Sequence, residues 1–208
     1  MIYPQKNKLI RWFFHTYILR IVGRDFQNVK FNDIEIDNSK SVLLLANHFS
    51  WWDGFLMYFI NHKLLKKNFH VMVIEDTLQK VGFFKYMGAF SVTRGSREIL
   101  TSLDYTAALL NDPKNLVLIF PQGKLHSNFV DDIKFEKGLS RIVEKAAGKY
   151  QTVLSVTFVE NFKYKKPTAN VYLKVIAEQK DGDNVVNLQQ AYRQHYNNAL
   201  QQQNQITV

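Results

Sequence analysis

Ser41–Ala46 reads SVLLLA, and the segment NHFSWWD, residues 47–53, comes directly after it. An uncharged apolar run of this length suits a strand buried on both faces, the pattern of a parallel sheet. Residues 116–120 (LVLIF) repeat it, and 69–74 (FHVMVI), 89–93, 153–159 and 169–177 read as further strands. Helices are predicted between them, over 50–61, 78–87, 96–110, 136–147 and 187–203. In the third, Leu100, Leu103, Ala107 and Leu110 share one face; in the fourth, Leu139, Ile142, Val143 and Ala146 do so, with Gly148 as the stop. Strands alternating with helices predict an α/β domain over 25–208, with a central mixed, largely parallel sheet flanked by helices. In such sheets ligands gather beyond the carboxyl ends of the strands. That rule singles out the segments just past Ala46, Thr93 and Phe120.

Beyond Ala46, His48 stands just past a strand and Asp53 in the first turn of a helix. Across that turn the two can meet. A neutral imidazole then takes a hydroxyl proton while the carboxylate holds its tautomer. A second reading is open: Ser50 and Asp53 form an [ST]-x-x-[DE] capping box, which accounts for Asp53 without chemistry. Beyond Thr93, Arg94 precedes a helix and suits a phosphate site or a surface ion pair. Beyond Phe120, Pro121 restrains the chain, Gly123 permits a tight turn, and Lys124 points toward His48 or into solvent.

Together these elements resemble the glycerolipid acyltransferases, the lysophosphatidic acid acyltransferase-like enzymes. That family carries an NHxxxxD block, which Asn47, His48 and Asp53 match. A second block ends in Arg, as Gly88 to Arg94 do, and the third, FPEGTR, is similar to Phe120-Pro121-Gln122-Gly123-Lys124-Leu125. The resemblance implies that His48 is the general base, that Asp53 orients it, and that Asn47, Arg94, Gln122, Gly123 and Lys124 bind substrate. It implies transfer of an acyl group from acyl-CoA or acyl-ACP to a lipid hydroxyl, such as that of 1-acyl-glycerol-3-phosphate, with no cofactor and no metal. The oxyanion would be held by backbone N–H groups near Gly123. Trp51 and Trp52 suit a lipid entrance or the core. The sequence departs from the pattern at Gln122, where the family has Glu, and at Lys124-Leu125, where it has Thr-Arg. Leu125 cannot hold a phosphate, so a glycolipid, aminolipid or terpenoid-linked hydroxyl is an alternative acceptor.

The chain has no cysteine, which excludes disulfides, thiolate nucleophiles and Cys-ligated zinc. Its formal charge of +9 favours anionic partners. Residues 1–24 hold five cations and no acid, and 9–23 are apolar but interrupted by Arg11, His15 and Arg20. This predicts an amphipathic interfacial helix with Trp12, Phe13, Tyr17, Ile18 and Ile21 on its apolar side, and a peripheral place on the cytoplasmic, anionic face of the membrane. Packing of the same helix on the domain is the other reading. A non-catalytic basic lipid- or nucleic-acid-binding protein is the rival function, but no nucleic-acid motif is present. The same His–carboxylate pair would also serve a hydrolase. The remaining histidines show no metal-ligand spacing.

Overall fold

A computed structural model describes residues 1–93, 98–130, 132–146, 150–176 and 185–208. The long N-terminal helix α1 (Lys8–Asp25) leads into β1 (Asn28–Phe31) and then β2 (Ser41–Ala46). Helix α2 (Asp53–Ile60) runs on into a π turn at Asn61–Leu65, succeeded by β3 (Asn68–Ile74), α3 (Glu75–Lys80), a 3₁₀ helix at Gly82–Met87 and β4 (Ala89–Val92). Then come α4 (Glu98–Leu109), β5 (Asn115–Ile119), α5 (Gly138–Lys145), β6 (Tyr150–Glu160), β7 (Thr168–Ile176) and α6 (Val185–Asn204).

The strands form one seven-stranded sheet in the order β1-β7-β6-β2-β5-β3-β4. Among the described residues every pairing is parallel except β6 with β7, so the sheet is mixed and largely parallel, as expected. The apolar run of β2 has the predicted cause. Val42, Leu44 and Ala46 face a core shared with α1 and α2, while Leu43 and Leu45 face one shared with α4, α5 and α6. All five are buried. With both faces covered, the strand interior takes apolar side chains throughout.

Three readings change. The helix expected over 50–61 starts only at Asp53, because the N–H groups of Phe49 and Ser50 bond the Asp53 carboxylate instead of opening a helix. The helix expected over 78–87 divides into α3 and the 3₁₀ helix. In α1, the five residues assigned to one apolar side point two ways. Ile18 and Ile21 are buried in the core, whereas Trp12, Phe13 and Tyr17 are exposed. Their spacing spreads them over more than half the helix circumference. The helix therefore packs on the domain and still presents an outward apolar face. Among the described residues no helix is long and apolar enough to cross a membrane.

Gly88 closes the 3₁₀ helix with φ 93°, and a Cβ there would stand 1.9 Å from the carbonyl oxygen of Phe69. Gly88→Ala is expected to cost about 1–2 kcal/mol for the dihedral and more for displacing β3. Urea unfolding will measure it; an unchanged midpoint would contradict the close approach.

Candidate active site

Strands β2 and β5 are neighbours in parallel register, with Leu45 opposite Ile119. The segments after Ala46 and Ile119 therefore emerge side by side. On the other flank Ala46 lies opposite Ser155 of β6. The sheet itself thus gathers the first and third blocks at one edge.

His48 is fixed at several points. Its N–H donates to Oε1 of Gln122 (2.7 Å), and its carbonyl accepts the N–H of His126 (2.9 Å). The imidazole stacks on Phe120, with centroids 4.1 Å apart. Its Nδ1 lies 2.8 Å from Oδ2 of Asp53, and the imidazole keeps about a quarter of its surface exposed (26%). Asp53 is buried, and the same Oδ2 also accepts the N–H groups of Phe49 (2.7 Å) and Ser50 (2.9 Å). A carboxylate only accepts, so Nδ1 carries the proton and Nε2 holds the lone pair a base requires. Oδ1 of Asp53 is buried with no hydrogen-bond partner among the described residues. An orphan of this kind is rare in a core and is tolerated chiefly where a site requires it.

Both readings of Asp53 hold in part. Its carboxylate reaches back to the Ser50 N–H as in a capping box, but Ser50 Oγ accepts the Trp52 N–H (3.2 Å) in place of the Asp53 N–H. Half a box forms, and the oxygen that forms it also holds His48.

The other expected site residues occupy several distinct environments. Asn47 is buried, donating from Nδ2 to the Thr157 carbonyl (2.9 Å) and accepting the Thr157 N–H at Oδ1 (2.8 Å). Its amide prolongs the β2–β6 ladder and does not line the cavity. Gln122 is likewise buried behind the site, holding the His48 main chain. Gly123 adopts φ 66° and lines the cavity, but its N–H donates to the Phe120 carbonyl (3.0 Å). That N–H is therefore not available to an oxyanion. Those of Lys124 and Leu125, which line the same cavity, bond no partner among the described residues. Arg94 lies outside the described residues. Trp51 lines the cavity mouth, 52% exposed and stacked on Phe84, while Trp52 turns away to pack on Phe26 and Phe55.

The cavity itself holds about 900 Å³ and is mostly apolar, with Phe55, Tyr58, Phe69, Val71, Met87 and Leu139 among its walls. Its volume and lining suit a long acyl chain. Lys137 also lines it. That second cation was not singled out in the sequence; it lies just before Gly138, the first residue of α5, and its residue type alone marks no site. Among the described residues no group of three or more potential ligands could hold a metal ion.

The Acyltransferase family model matches residues 28–159, which include His48, Asp53 and the cavity's third block. The chain belongs to the acyltransferase family. Among solved structures, this acyltransferase is similar to the 1-acyl-sn-glycerophosphate (LPA) acyltransferase PlsC of Thermotoga maritima. The TM-score is 0.61 at 16% identity, over 95% of this chain and 83% of that one. At that identity the likeness is one of fold. No curated protein matches the sequence at a significant level.

Gln122 invites a direct test. In this acyltransferase the position supplies an oxygen to a main-chain N–H, which an amide does as well as a carboxylate and without burying a charge. Gln122→Ala is expected to lower turnover by about tenfold, the equivalent of one lost buried hydrogen bond. Gln122→Glu keeps the acceptor and should retain most activity. Steady-state kinetics of both variants will decide; equal losses would mean that the amide NH₂ is what counts.

Proposed function

We propose that this acyltransferase moves a fatty acyl group from an acyl thioester, on coenzyme A or acyl carrier protein, to a hydroxyl of a lipid acceptor. The observation that carries the reading is the His48–Asp53 pair at the mouth of a large apolar cavity. Nε2 of His48 takes the proton of the acceptor hydroxyl, and Asp53 stabilises the resulting imidazolium. The alkoxide attacks the thioester carbonyl. The tetrahedral intermediate collapses with cleavage of the C–S bond, and the thiolate recovers the proton from His48. No acyl-enzyme is required. The N–H groups of Lys124 and Leu125 are the donors we assign to the oxyanion. The acyl chain occupies the apolar cavity, entering past Trp51 and Phe84.

For the acceptor we favour a lysolipid bearing a phosphate, such as 1-acyl-glycerol-3-phosphate. Lys124 and Lys137 supply two cations at the cavity wall even though Leu125 replaces an arginine. Arg94 is assigned to the same phosphate. Residues 1–24 are read as the membrane-contacting part of the chain. The outward face of α1 carries Leu9, Trp12, Phe13 and Tyr17, all exposed, with Arg20 and Arg24 further along, and it suits an anionic membrane surface.

The test is transfer by the purified protein from labelled acyl-CoA and acyl-ACP to a panel of lysophospholipids and glycolipids, with His48→Ala as control. We expect a new ester on a phosphate-bearing lysolipid. Release of free fatty acid alone would make the protein a hydrolase. Transfer only to glycolipids would overturn the acceptor assignment.

A further inference from the structure

A second concavity, of about 620 Å³, opens at the other end of the sheet. Lys8, Arg11 and Trp12 of α1 form one wall, and His62 and Lys66, in and just after the π turn, form the opposite one. His15 stands between them. Its Nδ1 is 2.8 Å from the Tyr58 hydroxyl, and its ring centroid is 4.9 Å from that of His62. Tyr58 and Phe69 are walls of both cavities, but the cations stand at the opposite end of the sheet from His48. Lys66 precedes β3, whose Asn68 lies opposite Asn115 of β5 and so level with Ser41, whereas His48 follows Ala46. Ser41 to Ala46 is five residues of strand, about 16 Å. An anion held here is therefore not the one undergoing reaction.

The charge balance of the pocket is one-sided. No acidic side chain is among its described lining residues. None of Lys8, Arg11 and Lys66 forms an ion pair among the described residues. Lys67, which also lines the pocket, differs, because its ammonium donates to the carbonyls of Asn38, Lys40 and Pro113 (3.1, 3.1 and 2.8 Å). Three uncompensated cations and two imidazoles thus converge on one space. Burial, with repulsion from His62 and Arg11, holds the His15 pKa below its ordinary value, as expected where positive potential is in excess. Trp12 belongs both to this pocket and to the outward apolar face of α1, where Leu9, Trp12 and Phe13 are 80%, 69% and 56% exposed. An anion with an apolar tail satisfies both surfaces at once, which a soluble phosphate does not.

We propose that this pocket binds the phosphate of an anionic membrane lipid, with Lys8, Arg11 and Lys66 around the headgroup and Trp12 at the boundary of its acyl chains. The lipid bound there docks the enzyme and is not its substrate. The proposal rests on the reading of α1 as a membrane-contact helix, and the experiment separates the two. Full-length protein is sedimented with phosphatidylcholine vesicles, with and without phosphatidylglycerol. Arg11→Ala/Lys66→Ala is expected to weaken phosphatidylglycerol-dependent binding by more than about tenfold and to leave binding to phosphatidylcholine alone unchanged. Lys6→Ala/Arg20→Ala removes the same charge from the same region outside the pocket and should weaken it several-fold less. Equal losses in the two variants would reduce the effect to diffuse electrostatics and overturn the pocket. Wild-type protein that binds neither vesicle would overturn the reading of α1 itself. A parallel titration with inorganic phosphate monitors the His15 and His62 ring resonances. Saturation there, without any vesicle preference, would assign the pocket to a soluble phosphate and overturn the lipid.

Discussion

Replacing His48 with alanine is expected to lower acyl transfer by about 10³-fold, within the range that a positioned general base contributes. The protein should remain folded. The imidazole is partly exposed, and the contacts holding this stretch of main chain, from Gln122 Oε1 and from the His126 N–H, do not involve the side chain. The residual rate would come from the cavity positioning both substrates. Turnover with saturating thioester and acceptor, alongside the far-ultraviolet circular dichroism of the variant, checks both halves. A variant that folds and turns over within a few-fold of wild type would remove His48 from the chemistry.

Asp53 should respond differently to its two natural substitutions. All three donors that reach its carboxylate, His48 Nδ1 and the N–H groups of Phe49 and Ser50, converge on Oδ2. In Asp53→Asn the amide oxygen can occupy that place and keep all three, with the NH₂ in the position of the unpartnered Oδ1. The histidine tautomer is then preserved, and only the charge that stabilises the imidazolium is lost. A charged hydrogen bond is worth about 1.5–3 kcal/mol, so the expected fall is roughly 10- to 150-fold. Asp53→Ala instead leaves two part-buried N–H groups and the imidazole without an acceptor. Its activity should approach that of His48→Ala, with a stability loss of about 1–3 kcal/mol. Steady-state rates with urea unfolding separate these outcomes. An asparagine variant as inactive as the alanine variant would mean that the amide turns its NH₂ to His48 and stabilises the wrong tautomer.

The parts of the fold legible in the sequence were those with a strong physical constraint. Strands β2 and β5 are covered on both faces, so each reads as an unbroken apolar run. Strand β1 is short, and its residues Asn28, Val29, Lys30 and Phe31 alternate between exposed and half-buried, so it reads as loop. The π turn was invisible because a local change of helical period leaves no mark on composition. At the site, the approach of His48 to Asp53 was legible because a turn between strand and helix can bring them together. The hold of Gln122 on His48 was not, since its donor is a main-chain group 74 positions away and carries no residue-type signal. Asn47 showed the reverse problem. A polar residue beside a histidine suggests a ligand, yet its amide completes a ladder with Thr157.

The placement of β1 constrains how this chain is made. Among the described residues its strand partner is β7, paired from Asn28 opposite Thr168, and the Asn32 side chain bridges both the N–H and the carbonyl of Leu173. An element early in the sequence thus pairs only with the last described strand. The core face of α1 has earlier partners: Ile18, Ile21 and Val22 share a cluster with Phe55 and Leu56 of α2, and Phe14 stacks on Phe83 of the 3₁₀ helix. Contacts as distant in sequence as those of β1 with β7 form slowly. The β1 edge is therefore expected to close after β2, β5 and β3 have paired with one another over shorter separations.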